Sequence, residues 1–320
     1  MIKIIISSSA KKKILELIYK DAKKEKTGLI NVLNNKNNKS WLKRYFRDIY
    51  DLLYTNGDVD EEEVKKLLWA DRNTMEQYIR QLGKYNKKKS DKLLKRIFRY
   101  KNFSNRDVAY KILAQMNIKV CPYCNRQYIV TLKNKKVRPQ FDHFFPKSEY
   151  PYLALSVFNL VPCCSVCNMA KSALDTYTEP ILYPFSEEFG FDILFTTVKW
   201  KNVSLSQYTR GLTDKFDVDI VNPNGMLVAK VDKQIQKLHL KDLYNEHKDY
   251  IQEIFKHHYI YTDKRLKELC NTFPELFKSI DDTRNFVYMI EIEKENWGKR
   301  SLAKLTSDII RELDKKKKKT

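Results

Sequence analysis

Two close cysteine pairs, Cys121-Pro-Tyr-Cys124 and Cys164-Ser-Val-Cys167, limit this chain more than any other feature. Four thiolates arranged as two CxxC pairs are the natural donor set of a structural zinc ion. Soft sulfur ligands fill all four tetrahedral positions and close the site. The pairs are 39 residues apart, more than a simple zinc ribbon places between them. Cys163 adjoins Cys164, but only Cys164 has the CxxC spacing to Cys167. Six cysteines in 320 residues are too few for a secreted disulfide scaffold, so metal ligation in a reducing, cytoplasmic setting is expected.

The long interval between the pairs holds the rest of the chemistry. Period-2 apolarity at 128–132 and again at 137–141, around the polar run Lys133-Asn134-Lys135-Lys136, predicts a β-hairpin. At the end of its second strand stands Phe141-Asp142-His143-Phe144-Phe145-Pro146-Lys147. Neighbours on a strand point to opposite faces, so Asp142 and His143 are expected to do different work. Asn159 follows an aromatic-rich loop, and residues 165–174 read as a helix with Asn168 and Lys171 on one face. Asp142 and Asn168 offer hard oxygen donors, suited to Mg²⁺ that keeps several waters.

Charge divides the chain unevenly. The net charge is +21, and residues 1–120 carry 29 Lys and Arg against 14 Asp and Glu. Residues 181–320 are nearly balanced, with 25 against 22. This asymmetry points to a polyanion facing the N-terminal part, although Lys-rich solvated helix faces would give the same count. Within it, Lys92, Lys95, Arg96 and Arg99 recur at i, i+3, i+4 and i+7, opposite Leu93, Leu94, Ile97 and Phe98. Such a basic helix face suits phosphate contacts. Only seven glycines are present, which argues against Gly-rich phosphate loops and a turn-dense all-β fold. No apolar run approaches a membrane span.

Helical periodicity covers 8–118 and 232–314. Asp60 and Glu61–Glu63 mark an acidic helix start, and Asn105 is placed to cap the helix carrying Val108 and Ile112. Short strands are expected at Ile193–Thr197, Val218–Val221 and Leu227–Val231, with a turn at Asn222-Pro223-Asn224-Gly225. The expected organisation is a basic helical region (1–118) for nucleic acid or a partner, then a core (119–180) holding the cysteines. A mixed region (181–314) with a partner or dimer surface and a disordered basic tail (315–320) follow.

Asp142-His143, Asn159-Leu160 and Cys164-Ser-Val-Cys167-Asn168-Met-Ala-Lys171 together resemble the HNH (ββα-metal) nuclease superfamily, in the subgroup pinned by a CxxC…CxxC zinc. The longer form, with Pro146-Lys147 after the histidine, is similar to the HNH partner of Septu-type bacterial anti-phage systems, which works beside an ATPase. The resemblance covers about 121–175, under a fifth of the chain. It implies an α+β fold, a mostly helical chain around a ββα-metal core with a four-cysteine zinc site. It also implies a metal-dependent DNA endonuclease of an anti-phage defence system, leaving 5′-phosphate and 3′-hydroxyl ends. His143 would be the general base, Asp142 and Asn168 would hold Mg²⁺ or Mn²⁺, Asn159 would orient the loop and the His143 ring, and Lys171 would contact phosphate. Asn168 stands where many members have histidine. Two alternatives remain open: an RNA-cleaving toxin built on the same site, and a zinc module that binds nucleic acid without cutting it.

Overall fold

A computed structural model describes residues 1–132, 137–290 and 292–317. It is mostly helical with three two-stranded antiparallel sheets among the described residues. The fold divides into two compact units. One comprises Ile4–Ile118 and Ile129–Phe185, and the other Met1–Lys3, Lys119–Tyr128 and Ser186–Thr320. The helical N-terminal region and the Asp142-His143 segment, expected as successive domains, thus share one unit.

In that unit the helices begin where small polar side chains can take up free backbone N–H groups. Ser7 accepts from Ala10 N ahead of α1 (Ser8–Ala22). Helices α2 (Leu29–Asn34), α3 (Lys36–Tyr45) and α4 (Arg47–Leu53) follow, and then a short hairpin, β1 (Tyr54–Thr55) and β2 (Asp58–Val59). Asp60 accepts from Glu63 N at 2.9 Å and opens α5 (Glu61–Trp69), whose acidic first turn complements the helix dipole. Asp71 caps α6 (Arg72–Leu82), and Asn86 caps α7 (Lys87–Leu93). Buried Ile14, Ile18, Val64, Leu67, Met75 and Ile79 supply much of the core between these helices.

The continuous helix expected over 86–101 is interrupted. After α7 the backbone takes a π turn over Leu94–Phe98, and Arg99 is left-handed with φ 43°. The wide turn brings Ile97 and Phe98 inward together with Leu93, all three nearly inaccessible. The four basic residues therefore do not form one straight face. Lys92 and Lys95 are exposed. Arg96 instead donates to Asn38 Oδ1 at 2.8 Å and lies over the Trp41 ring, while Arg99 Nε donates to Arg96 O. Helices α8 (Tyr100–Asn105) and α9 (Asp107–Met116) complete the region. Asn105 ends α8 rather than capping α9, whose N-cap is Arg106.

Of the hairpin expected around Lys133–Lys136, a turn that lies outside the described residues, a backbone bond from Leu132 N to Val137 O at 3.1 Å is present, but the ladder lies elsewhere. The ordered strand is β3 (Gln140–His143), and its partner is β4 (Leu160–Cys163), with Asp142 opposite Val161 and His143 opposite Leu160. The reason is burial. Phe141, Asp142 and His143 are consecutive buried residues, and a strand covered on both faces pairs best with another of the same kind. Leu160–Cys163 is buried throughout, whereas Val130, Leu132 and Val137 are exposed. Helix α10 (Ser165–Lys171) follows β4 directly.

The second unit contains β5 (Leu194–Lys199), α11 (Leu205–Thr209) and β6 (Phe216–Val221), with β5 and β6 paired. Asn222–Gly225 turns as expected, with Gly225 at φ 62°. Leu227–Val231 is not a strand. Its residues lead into α12 (Val228–Lys237), where Val231 and Gln234 face the core. Helices α13 (Leu240–Asn245), α14 (Lys248–Ile260), α15 (Asp263–Thr272) and α16 (Ile280–Tyr288) continue the unit. Helix α17 (Ala303–Lys317) runs three residues into the segment expected to be a disordered tail. No helix among the described residues is long and apolar enough to cross a membrane.

Candidate functional site

The Sγ atoms of Cys121, Cys124, Cys164 and Cys167 all lie within 4.8 Å of one another, and all four residues are buried. Ligands at a Zn–S distance of ~2.3 Å sit ~3.8 Å apart at the corners of a tetrahedron, so this spacing suits zinc. Local geometry favours the thiolate. Cys124 Sγ accepts from Arg126 N and Cys164 Sγ from Cys167 N, each at 3.4 Å, with Asn125 in the left-handed region at φ 51°. Sulfur is a weak acceptor as a thiol and a better one when charged. Cys163 lies outside the cluster. Burial, reinforced by the nearby Asp142 charge, raises its pKa well above the usual range and keeps it a thiol. Four close, buried cysteines able to bind zinc are thus present.

The second constellation lies at the end of β3. His143 Nε2 is 3.1 Å from Ala154 O. A carbonyl oxygen only accepts, so Nε2 carries the proton in this contact and Nδ1 of the neutral ring is left as a base. The ring stays neutral over a wide pH range. Burial first, then the Lys147 ammonium, hold its pKa well below that of a free imidazole, and the Ala154 carbonyl opposes them.

Asn159 fixes the loop that supplies this carbonyl. Fully buried, its Oδ1 accepts from Phe145 N at 2.8 Å, and its Nδ2 donates to Phe145 O at 3.0 Å and to Leu153 O at 3.1 Å. The loop 144–159 is also tied to the helices of its unit. Tyr152 Oη donates to Gly83 O at 2.9 Å, and Ser156 Oγ donates to Leu67 O at 2.7 Å. Phe144, Phe145 and Tyr150 fill the space beneath it.

Lys171 departs from the expected solvent-facing phosphate contact. It is completely buried, with Nζ 3.1 Å from Asp142 Oδ1 and 2.9 Å from His143 O. Lying seven residues after the N-cap Cys164, it sits on the face of α10 turned toward β3. Asn168, one turn earlier, is half-exposed and donates its amide to Gln140 Oε1 at 2.7 Å. Asp142, His143, Asn159 and Lys171 are therefore gathered at one strand end, with Asn168 beside the start of the same strand. The basic residues 92–99 leave two exposed lysines rather than a four-residue face.

Tyr100, and the position of Lys147 against it, escaped the sequence reading. The Tyr100 ring packs edge-on against His143, with centroids 4.4 Å apart, and Lys147 Nζ lies 5.2 Å from the same ring. Tyr100 is 43 residues upstream in a helical stretch, and no local pattern could link it to His143.

No protein-family model matches the chain, and no solved structure matches it. A stretch of 72 residues, 22% of the chain, is 35% identical to the Septu protein PtuB of Bacillus thuringiensis. That stretch spans 26% of the PtuB length.

Proposed function

We propose that the chain is a metal-dependent HNH-type endonuclease that hydrolyses DNA phosphodiesters as part of a Septu-like anti-phage defence system. The observation that carries the reading is the His143 imidazole, fixed through Nε2 by the Ala154 carbonyl with Nδ1 left as acceptor, one residue from the Asp142 carboxylate. The order strand, strand, helix over 140–171, with a four-thiol cluster beside it, supports the same reading. Partial similarity to PtuB supports the defence setting and a partner from the same system, such as an ATPase.

In this mechanism His143 Nδ1 removes a proton from water, and the water oxygen attacks phosphorus as the bond to the 3′ oxygen breaks. The leaving oxygen picks up a proton from solvent, giving 5′-phosphate and 3′-hydroxyl ends. Asp142, which now pairs with Lys171, and Asn168, which now bonds Gln140, would each have to turn an oxygen to a common point to hold Mg²⁺ or Mn²⁺, and such an ion would supply charge stabilisation at the scissile phosphate. Lys171 Nζ, 3.1 Å from Asp142 Oδ1, holds the buried carboxylate in place. Asn159 holds the loop so that the Ala154 carbonyl meets the ring. Zinc at the four cysteines is structural in this reading.

The test is incubation of purified protein with plasmid, linear duplex and RNA, each with Mg²⁺, Mn²⁺ or EDTA. Cleavage of DNA that needs added Mg²⁺ or Mn²⁺ is expected. Cleavage of RNA alone would move the substrate assignment, and binding without cleavage under every metal would replace the enzyme by a binding module.

A further inference from the structure

We propose that Lys147 binds the phosphate that is cut, a role resting on the nuclease reading above. Lys147 follows His143 by four residues and is half-buried. Its ammonium faces the Tyr100 ring at 5.2 Å, and the same ring lies against the His143 imidazole at 4.4 Å. One aromatic ring thus contacts both the cation and the base, and the Lys147 charge is felt at the imidazole.

The charge balance around Lys147 is incomplete. Lys171 has the Asp142 carboxylate at 3.1 Å, whereas among the described residues Lys147 forms no ion pair and its ammonium meets the Tyr100 π face. A cation stripped of much of its water and given only a ring face recovers part of its lost hydration. Burial lowers its pKa, the more distant Asp142 charge opposes this, and Lys171 adds repulsion. An anion arriving beside His143 would supply what is missing. A phosphodiester carries one negative charge on two free oxygens, and a lysine ammonium meets these as a compact point charge. Lys171 cannot take this part, being fully enclosed on Asp142 and the His143 carbonyl.

Lys147→Gln, Lys147→Met and Lys147→Arg of the full chain test the assignment, with zinc content and circular dichroism confirming the fold. Met keeps the apolar stem over Tyr100 if Gln proves unstable. Binding of a fluorescein-labelled DNA duplex is measured in EDTA over a salt series, and cleavage is measured with Mg²⁺ at saturating duplex. Lys147→Gln should lower the slope of log K against log salt by about one. Its saturated cleavage rate should fall by about 10- to 100-fold, because the contact places the reacting phosphate, and Arg should restore most of both. Unchanged affinity and rate in a variant of a wild type that cuts would overturn the assignment and leave the nuclease reading intact. Weaker binding with an unchanged saturated rate would place Lys147 on a remote phosphate and also overturn it. A wild type that neither binds nor cuts nucleic acid would remove both.

Discussion

His143 illustrates how one hydrogen bond can set a chemical role. Donation from Nε2 to the Ala154 carbonyl fixes the tautomer, and burial keeps the ring neutral, with the Nδ1 lone pair left to accept a proton. His143→Ala removes that base but leaves Asp142, Lys171 and the cysteines in place. The variant should stay folded, retain zinc and bind DNA like wild type, while its cleavage rate falls by on the order of 10²–10⁴-fold. A folded, zinc-loaded His143→Ala protein that cuts at the wild-type rate would end the nuclease reading. Asp142→Ala should behave differently. It strands the buried Lys171 ammonium, so it should lose about 3 kcal/mol of stability in a urea titration as well as its activity. Asp142 is therefore the worse choice for a clean inactive variant.

The elements around the site carry two further expectations. The two CxxC turns present buried thiols that would repel one another as uncompensated thiolates, so metal binding there belongs to the folding free energy. Elemental analysis should find about one zinc per chain, and Cys124→Ser should yield insoluble protein. A soluble, well-folded, zinc-free preparation would contradict this. The break after α7 revises what the basic segment can do. Arg96 is committed to Asn38 and Trp41, which leaves Lys92 and Lys95 as the exposed cations among the four. Replacing both with Gln should weaken DNA binding for every sequence and reduce the salt slope by up to about two. An unchanged slope would mean that these lysines serve only as a solvated face.

For the molecule as a whole, a buried ion pair in the second unit matters to stability. Lys304 and Asp308 are both almost inaccessible and meet at 2.5 Å, and Asp308 also accepts from Phe195 N on β5. Burial pushes the Asp308 carboxyl up to about 6 and the Lys304 ammonium down, so each group depends on the other to stay charged. The same helix start is anchored by Asn125, whose Oδ1 accepts from Lys304 N at 3.0 Å. Asp308→Asn should cost about 3–5 kcal/mol, read from denaturant unfolding, whereas exchange of both residues for apolar ones of similar size should cost far less. Equal losses in the two variants would show that the pair itself contributes little.

What the sequence determined by itself is local. CxxC spacing marked the four thiols and separated Cys164 from Cys163, and acidic or amide caps such as Asp60 marked helix starts. Apolar periodicity identified most of the helical chain, because caps and periodicity act within a turn or two of the backbone. Asp142-His143, Asn159 and Asn168-Met-Ala-Lys171 were conspicuous as a joint motif. Only the tertiary structure decided what those residues touch. It left one backbone bond, Leu132 N to Val137 O, at the mouth of the expected hairpin and built the ladder from 140–143 and 160–163, both buried. It made Leu227–Val231 the approach to a helix and turned Lys171 inward onto Asp142. It also brought Tyr100 and Lys147 to His143. Period and spacing describe which face of an element a residue occupies. Which other element covers that face, and whether a charge there meets a partner, depends on contacts between distant segments, and the net cost of burying a charge is set there.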